Sequence, residues 1–204
     1  MSFDLLGGLK GAIKEFFGFG GYKRTPEGYM SPQHLIFVSS LMAVMIALAV
    51  VLDRFVPVVF TEAVKITLTF VPVVIAAVLY GPAGGAAVWG FSDLLGAILF
   101  PRGPYFPGFT ATAALKGVIF GLALSGKKPK FFPHVLLSAL LTNLAIGLAL
   151  DTLWIAVLYG RETYWGYFVT RIPQFVALTA LQLCLIPLLT RLCERLKKQD
   201  GTNR

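Results

Sequence analysis

LFPRGPYFPGFTATAALKGVIFG, residues 99–121, sets a stiff turn directly against an apolar helical pattern. Pro101, Pro104 and Pro107 fix φ and remove backbone donors, so the turn is held in one shape. Irregular backbone of this kind does not face lipid; it sits against protein or lines a cavity. With Arg102, Tyr105, Phe106 and Phe109 on it and Lys116 on the helix that follows, the segment is expected to roof and wall a binding pocket.

Outward from this turn the chain is membrane-like. Of its 204 residues 56% are hydrophobic and only 14% charged, about half the charged share of a soluble domain. Six apolar runs stand near the roughly 20 residues that cross hydrocarbon: Leu35–Phe55, Val64–Tyr80, Ala83–Phe100, Tyr105–Leu124, Val135–Tyr159 and Phe168–Leu192. Gly81-Pro82 marks a turn between the second and third. The sequence therefore predicts an all-α membrane protein, a bundle of six transmembrane helices over residues 31–196. A cytoplasmic amphipathic segment, residues 1–30, precedes it and a short cytoplasmic tail, 197–204, follows. In the first segment Leu5, Leu6, Leu9, Ile13, Phe16 and Phe17 recur at helical spacing with Lys10 and Lys14 between them, as a helix lying on the membrane surface requires.

Basic residues orient the bundle. Lys10, Lys14, Lys23 and Arg24, then Lys127, Lys128 and Lys130, then the tail cations, all fall on one side, which the positive-inside rule assigns to the cytoplasm. The net charge of +8 is thus an orientation signal and not a nucleic-acid surface. The outward half carries Asp53, Arg54, Glu62, Lys65, Asp93, Arg102, Lys116, Asp151, Arg161, Glu162 and Arg171. Ionisable groups at membrane depth face a cavity or one another.

Helical spacing aligns several of these groups. Glu62, Lys65 and Thr69 share a face of the second run, and Trp89 and Asp93 of the third. Tyr105, Phe109, Thr112 and Lys116 form one line on the fourth. Asn143, Gly147, Asp151 and Trp154 lie on the fifth, and Arg171, Gln174 and Gln182 on the sixth. Structural salt bridges, Asp93 with Lys116 for example, are the plain alternative for any one pair; for the set, a ligand pocket explains more. Trp89, Tyr105, Phe106, Phe109 and Trp154 suit a flat conjugated ring, although aromatics at this depth also serve as interfacial belt residues. Arg54, Arg102 and Arg171 suit carboxylates, and Asp93 or Asp151 would accept from ring amine and amide donors. On the first run Ser39, Ala43 and Ala47 leave a small-residue groove that lets another helix approach, within the bundle or from a partner.

Other chemistries find little support. Cys184 and Cys193 do not share a helix face, so neither a disulfide framework nor a metal site is expected, and no cofactor is implied. There is no nucleophile placed beside a base; Asp93 and Asp151 are the sole paired carboxylates, so no enzyme activity is expected. No GxxxxGK[ST] occurs, so energy for transport comes from other chains or a gradient. An ion-coupled carrier working alone lacks the inverted repeat and broken helices common to that class.

LYGPAGG, SDLLGAILFPRGPYFPGFTATAALKG, DTLWIAVLYG and RIPQ, taken together, resemble the folate-specific substrate-binding subunits (S-components) of energy-coupling factor transporters. The similarity covers nearly the whole membrane region. It implies a multi-pass protein of a prokaryotic plasma membrane that captures folate or a reduced folate from outside and performs no chemistry of its own. It implies as partners a transmembrane coupling subunit and two ATPase subunits, whose ATP hydrolysis topples the S-component in the membrane. By position, Ala43 and Ala47 match the family's alanine pair on the coupling interface, Arg54 and Arg171 its arginines near the folate tail, Asp93 its SDLLG, and Phe106 to Phe109 its loop. Three residues depart from the family: Asp151 stands for an asparagine, Lys116 for a small residue and Arg102 for a small polar one. Asp151 and Lys116 either pair with each other or retune the pocket for another flat heterocyclic vitamin or pterin-like precursor.

Overall fold

The structure, a computed structural model, describes residues 32–60, 65–101, 103–124, 132–160 and 164–202. The expected surface helix of residues 1–30 and the side chains of Glu62, Lys65, Arg102 and Arg161 lie outside the described residues. Nearly everything described is helical, and five helices are long and apolar enough to cross a membrane.

Helix α1, Pro32–Arg54, begins with proline, whose missing N–H is no loss in a first turn. Its inward face, Leu41, Met45 and Ala49, is buried against α2 (Phe70–Leu99). Ser39, Ala43 and Ala47 lie on the opposite, exposed face, so the small-residue groove is not used for packing within the described bundle.

Between α1 and α2 the chain makes two short antiparallel strands, β1 (Pro57–Phe60) and β2 (Lys65–Thr67), pairing Pro57 with Thr67 and Phe60 with Lys65. This corrects the second apolar run, which was expected to be helical from Val64. Ile66 and Thr67 are β-branched and pair with a strand rich in valine, so the helix starts only at Phe70. The face expected to join Glu62, Lys65 and Thr69 on one helix is therefore not a helical face.

Helix α2 breaks at Gly81, where φ is 74° and ψ −158° and Pro82 follows. Its two arms lie against each other: a Cβ on Gly84 would come 2.9 Å from the Ala76 carbonyl oxygen, and one on Gly85 3.2 Å from Ala77 Cβ. Eight residues of unbroken helix would separate these positions by about 12 Å. Only glycine accepts the left-handed φ this reversal needs.

Helix α3, Pro107–Leu124, again opens on proline and runs antiparallel to the second arm of α2. Gly117 meets the Gly85 backbone, Gly121 meets Pro82, and Gly90 faces Ala114. Such a seam of small residues gives close van der Waals packing where hydrophobic burial offers no drive between helices.

Helix α4 (Phe132–Leu140) continues into a π-helical stretch, Leu141–Leu150, and then α5 (Asp151–Tyr159), which stops at Gly160 with φ 112°. The last helix, α6, spans Tyr164–Thr202 with Pro173 and Pro187 inside it. The core gathers Phe70, Val74, Val88, Phe120, Val135 and Ile186 from α2, α3, α4 and α6.

Candidate functional site

Arg54 closes α1, and its guanidinium crosses α2 at Gly96, where a Cβ would lie 2.8 Å from Nε. Asp53 holds it, Oδ2 to Arg54 Nε at 3.2 Å, while Asp53 Oδ1 accepts from Thr69 Oγ1 at 3.3 Å. One turn before Gly96 on α2, Asp93 Oδ2 accepts from Thr110 Oγ1 at 2.8 Å. Thr110 in turn shares a hydrogen bond with the Tyr105 hydroxyl at 3.0 Å. Arg54, Asp93, Pro104, Tyr105, Phe106 and Phe109 enclose a cleft of about 150 Å³ under the proline turn. Tyr105 belongs to the turn and not to the helical line predicted for it, because α3 starts at Pro107.

Behind the cleft the rings continue. Phe106 packs on Trp154, centroids 5.2 Å apart and planes tilted by 43°, and meets Phe109 edge-on at 6.4 Å. Gly108 makes room for both: a Cβ there would come 2.5 Å from Phe106 Cε1 and 2.8 Å from Trp154 Cδ2. The Trp154 Nε1 donor is buried and has no acceptor among the described residues.

Deeper along α3, Lys116 Nζ meets Asp151 Oδ2 at 2.6 Å, with both side chains 14% exposed. Thr112 Oγ1 donates to Asp151 Oδ1 at 2.7 Å, so the two carboxylate oxygens have separate donors. Lys116 also lies 5.9 Å from the Trp89 ring centroid, and Trp89 stacks on the core residue Phe120. The suggested Asp93–Lys116 bridge is thus corrected: Lys116 pairs with Asp151, and Asp93 with Thr110.

Arg171 lies inside α6, donating to Thr152 Oγ1 at 3.2 Å and standing 5.4 Å from the Phe175 ring centroid. It neighbours the Asp151 pair through Thr152 and does not line the cleft. The line drawn through Asn143, Gly147, Asp151 and Trp154 is divided. Asn143 donates to Thr179 and Gln182 of α6, both at 2.9 Å, and Gly147 abuts Phe175. Asp151 and Trp154 instead face α3 and its turn. A π-helix takes about one residue more per turn than an α-helix, so ten residues of it swing the following face by roughly half a turn.

A larger space, about 530 Å³, opens between the π-helical stretch and α6, walled by Leu140, Leu144, Leu148, Ile172 and Val176. It takes in none of the predicted cations or carboxylates. The site therefore gathers Arg54, Asp93, Tyr105, Phe106 and Phe109 at one cleft, with Trp154 behind and the Lys116–Asp151 pair beneath. Gly96, Gly108 and Thr110 escaped the sequence reading. Thr110 sits on α3 next to a recognised stripe, but only folding shows that its hydroxyl reaches Asp93.

The family model "ECF transporter, substrate-specific component" matches residues 40–190. The chain belongs to that family. It is 35% identical over 133 residues to the folate transporter FolT of Clostridium novyi (strain NT), covering 65% of this chain and 76% of that one. Against the folate transporter FolT of Leuconostoc mesenteroides the figures are 28% over 136 residues, 67% of this chain and 72% of the relative. A crystal structure of FolT bound with folic acid superposes with a TM-score of 0.68 at 32% identity, covering 76% of this chain and 91% of that one. This substrate-specific component is thus a membrane-embedded subunit of a transporter, and its binding surface is its functional part.

Proposed function

We infer that this substrate-specific component captures folate or a reduced folate from outside the cell and hands it to an ATP-driven coupling module. The observation that carries the reading is the cleft in which one guanidinium, one carboxylate and two phenyl rings converge, with Trp154 behind them. A heterocycle with an acidic tail needs those three chemistries together. Flat rings stack on aromatics, ring N–H groups donate to Asp93, and tail carboxylates pair with guanidinium forks such as Arg54. Arg171 and Arg102 are further candidates for the tail. The names of the FolT relatives and the folic acid in the related structure support the same ligand class.

Lys116 and Asp151 pair with each other beneath the rings and Thr112 takes the second carboxylate oxygen, which favours folate over a ligand read by a new charge at that depth. Trp89, stacked on the core and facing Lys116, serves in the floor rather than against the ligand. Counting the two arms of α2 separately gives six spans, with both termini on the cytoplasmic side of a prokaryotic plasma membrane. The exposed Ser39, Ala43 and Ala47 form the docking stripe for a transmembrane coupling subunit, which two ATPase subunits drive. Toppling of the docked bundle then delivers the ligand.

Equilibrium binding of folate to the purified protein tests this reading. Sub-micromolar affinity is expected. A folded protein that binds no folate below micromolar concentration would overturn it, and mass spectrometry of any small molecule carried through purification would identify the ligand instead.

A further inference from the structure

The cleft is too small for the ligand class it faces. It encloses about 150 Å³, whereas sites for drug-sized ligands run about 300–1,000 Å³. The ring of Phe106 lines it, and Trp154, which does not, packs on that ring. Phe106 covers the indole but offers it no acceptor, and Trp154 Nε1 is left buried and without a hydrogen bond among the described residues. Buried donors are seldom left in that state, and those that are call for an explanation.

The backbone explains how Phe106 can leave. Pro104 and Pro107 lie on either side of it, and a residue preceding proline is confined to extended conformations. With the backbone of Phe106 so confined, rotation of its side chain is the local movement left to it. The residue is half-exposed, so it has a route outward, and Gly108 leaves both rings a seat free of any Cβ.

We propose that Phe106 is a displaceable plug, holding in the ligand-free protein the place beside Trp154 that a flat heterocycle takes on binding, when an acceptor on the ligand's edge receives the Trp154 N–H. The proposal deepens the folate reading and rests on it for the identity of the ligand. It assigns Trp154 a second role besides stacking, as the donor that tells a heterocycle with ring nitrogens or carbonyls from a plain hydrocarbon ring.

The test uses the full chain in detergent, with Phe106→Ala, Phe106→Leu and Trp154→Phe. Trp154 emission is isolated by subtracting the spectrum of the matching variant that also carries Trp154→Phe. Without ligand, Phe106→Ala is expected to shift Trp154 emission to the red and raise its quenching by acrylamide. Folate association, followed by stopped flow, is expected to speed up several-fold. Phe106→Leu shows a smaller change in the same direction and stands in if the alanine variant does not fold. Trp154→Phe is expected to lower folate affinity about three- to ten-fold, the worth of one neutral hydrogen bond. Unchanged ligand-free emission in both Phe106 variants overturns the plug. So does unchanged association with faster dissociation, which would make Phe106 a stacking partner of the bound ligand. Unchanged affinity in Trp154→Phe overturns the donor role. Failure of the unaltered protein to bind folate retires the folate reading alone, and the ligand-free emission then decides the plug by itself.

Discussion

Asp151→Leu is the substitution whose cost the structure fixes most closely. Asp151 is mostly buried and accepts from Lys116 at 2.6 Å and from Thr112 at 2.7 Å. Its removal leaves the Lys116 ammonium facing the Trp89 ring at 5.9 Å, a contact worth about 0.5–2 kcal/mol. Thr112 is not orphaned, because its single hydroxyl proton then turns to the Phe109 carbonyl, 2.9 Å away. The loss is therefore dominated by an uncompensated buried cation, about 3–5 kcal/mol. For a chain of this length that lowers the unfolding midpoint by roughly 10 °C, at about 2–4 °C per kcal/mol. Lys116→Leu together with Asp151→Leu removes both charges and is expected to recover stability to within about 1–2 kcal/mol of the unaltered protein. Thermal unfolding in detergent, followed by tryptophan emission, measures Asp151→Leu, Lys116→Leu and the double variant. If the two single effects add in the double variant to within about 0.5 kcal/mol, the pair is not coupled and the reasoning fails.

Arg54→Ala is expected to weaken folate binding about 10- to 100-fold by isothermal titration, the range for a lost charge-assisted hydrogen bond; an unchanged affinity would remove Arg54 from the tail site. Ala43→Leu should leave folate binding intact and abolish uptake by the assembled transporter, because its side chain fills an exposed groove; normal uptake would show that α1 docks elsewhere. Gly117→Leu drives a side chain into the Gly85 backbone and should yield little folded protein by size-exclusion chromatography, whereas Gly166→Ala, with open space around it, should behave as the unaltered chain. Asn143→Leu strips Gln182 and Thr179 of their shared donor and should cost about 1–3 kcal/mol in the same unfolding assay.

What the sequence made legible is what consecutive residues encode. Apolar runs of span length mark the membrane class, Gly81-Pro82 marks the reversal in α2, and the proline turn marks the cleft. The strand pair before α2 was hidden because Ile66 and Thr67 read as the start of an apolar span as readily as a strand. The partner of Lys116 was left between two candidates, for a different reason. Asp93 and Asp151 are equally plausible on helical spacing, and the choice depends on the rotation of α5. That rotation follows from the π-helical stretch at Leu141–Leu150, which has no Gly-Pro or capping signature to announce it. The outward facing of Ser39, Ala43 and Ala47 likewise needed the packed bundle, since a small-residue stripe serves an inner or an outer neighbour equally well.

The contact of Gly85 with Gly117 has a mechanical meaning. Two helices whose main chains touch cannot slide along or roll over one another without a steric clash, so the second arm of α2 and α3 behave as a single plank. A reorientation of the subunit in the bilayer must carry that plank as a unit. The boundary between the π-helical stretch and α6 is pinned differently, by side chains, through Asn143 to Thr179 and Gln182 and through the Phe175 ring seated on Gly147.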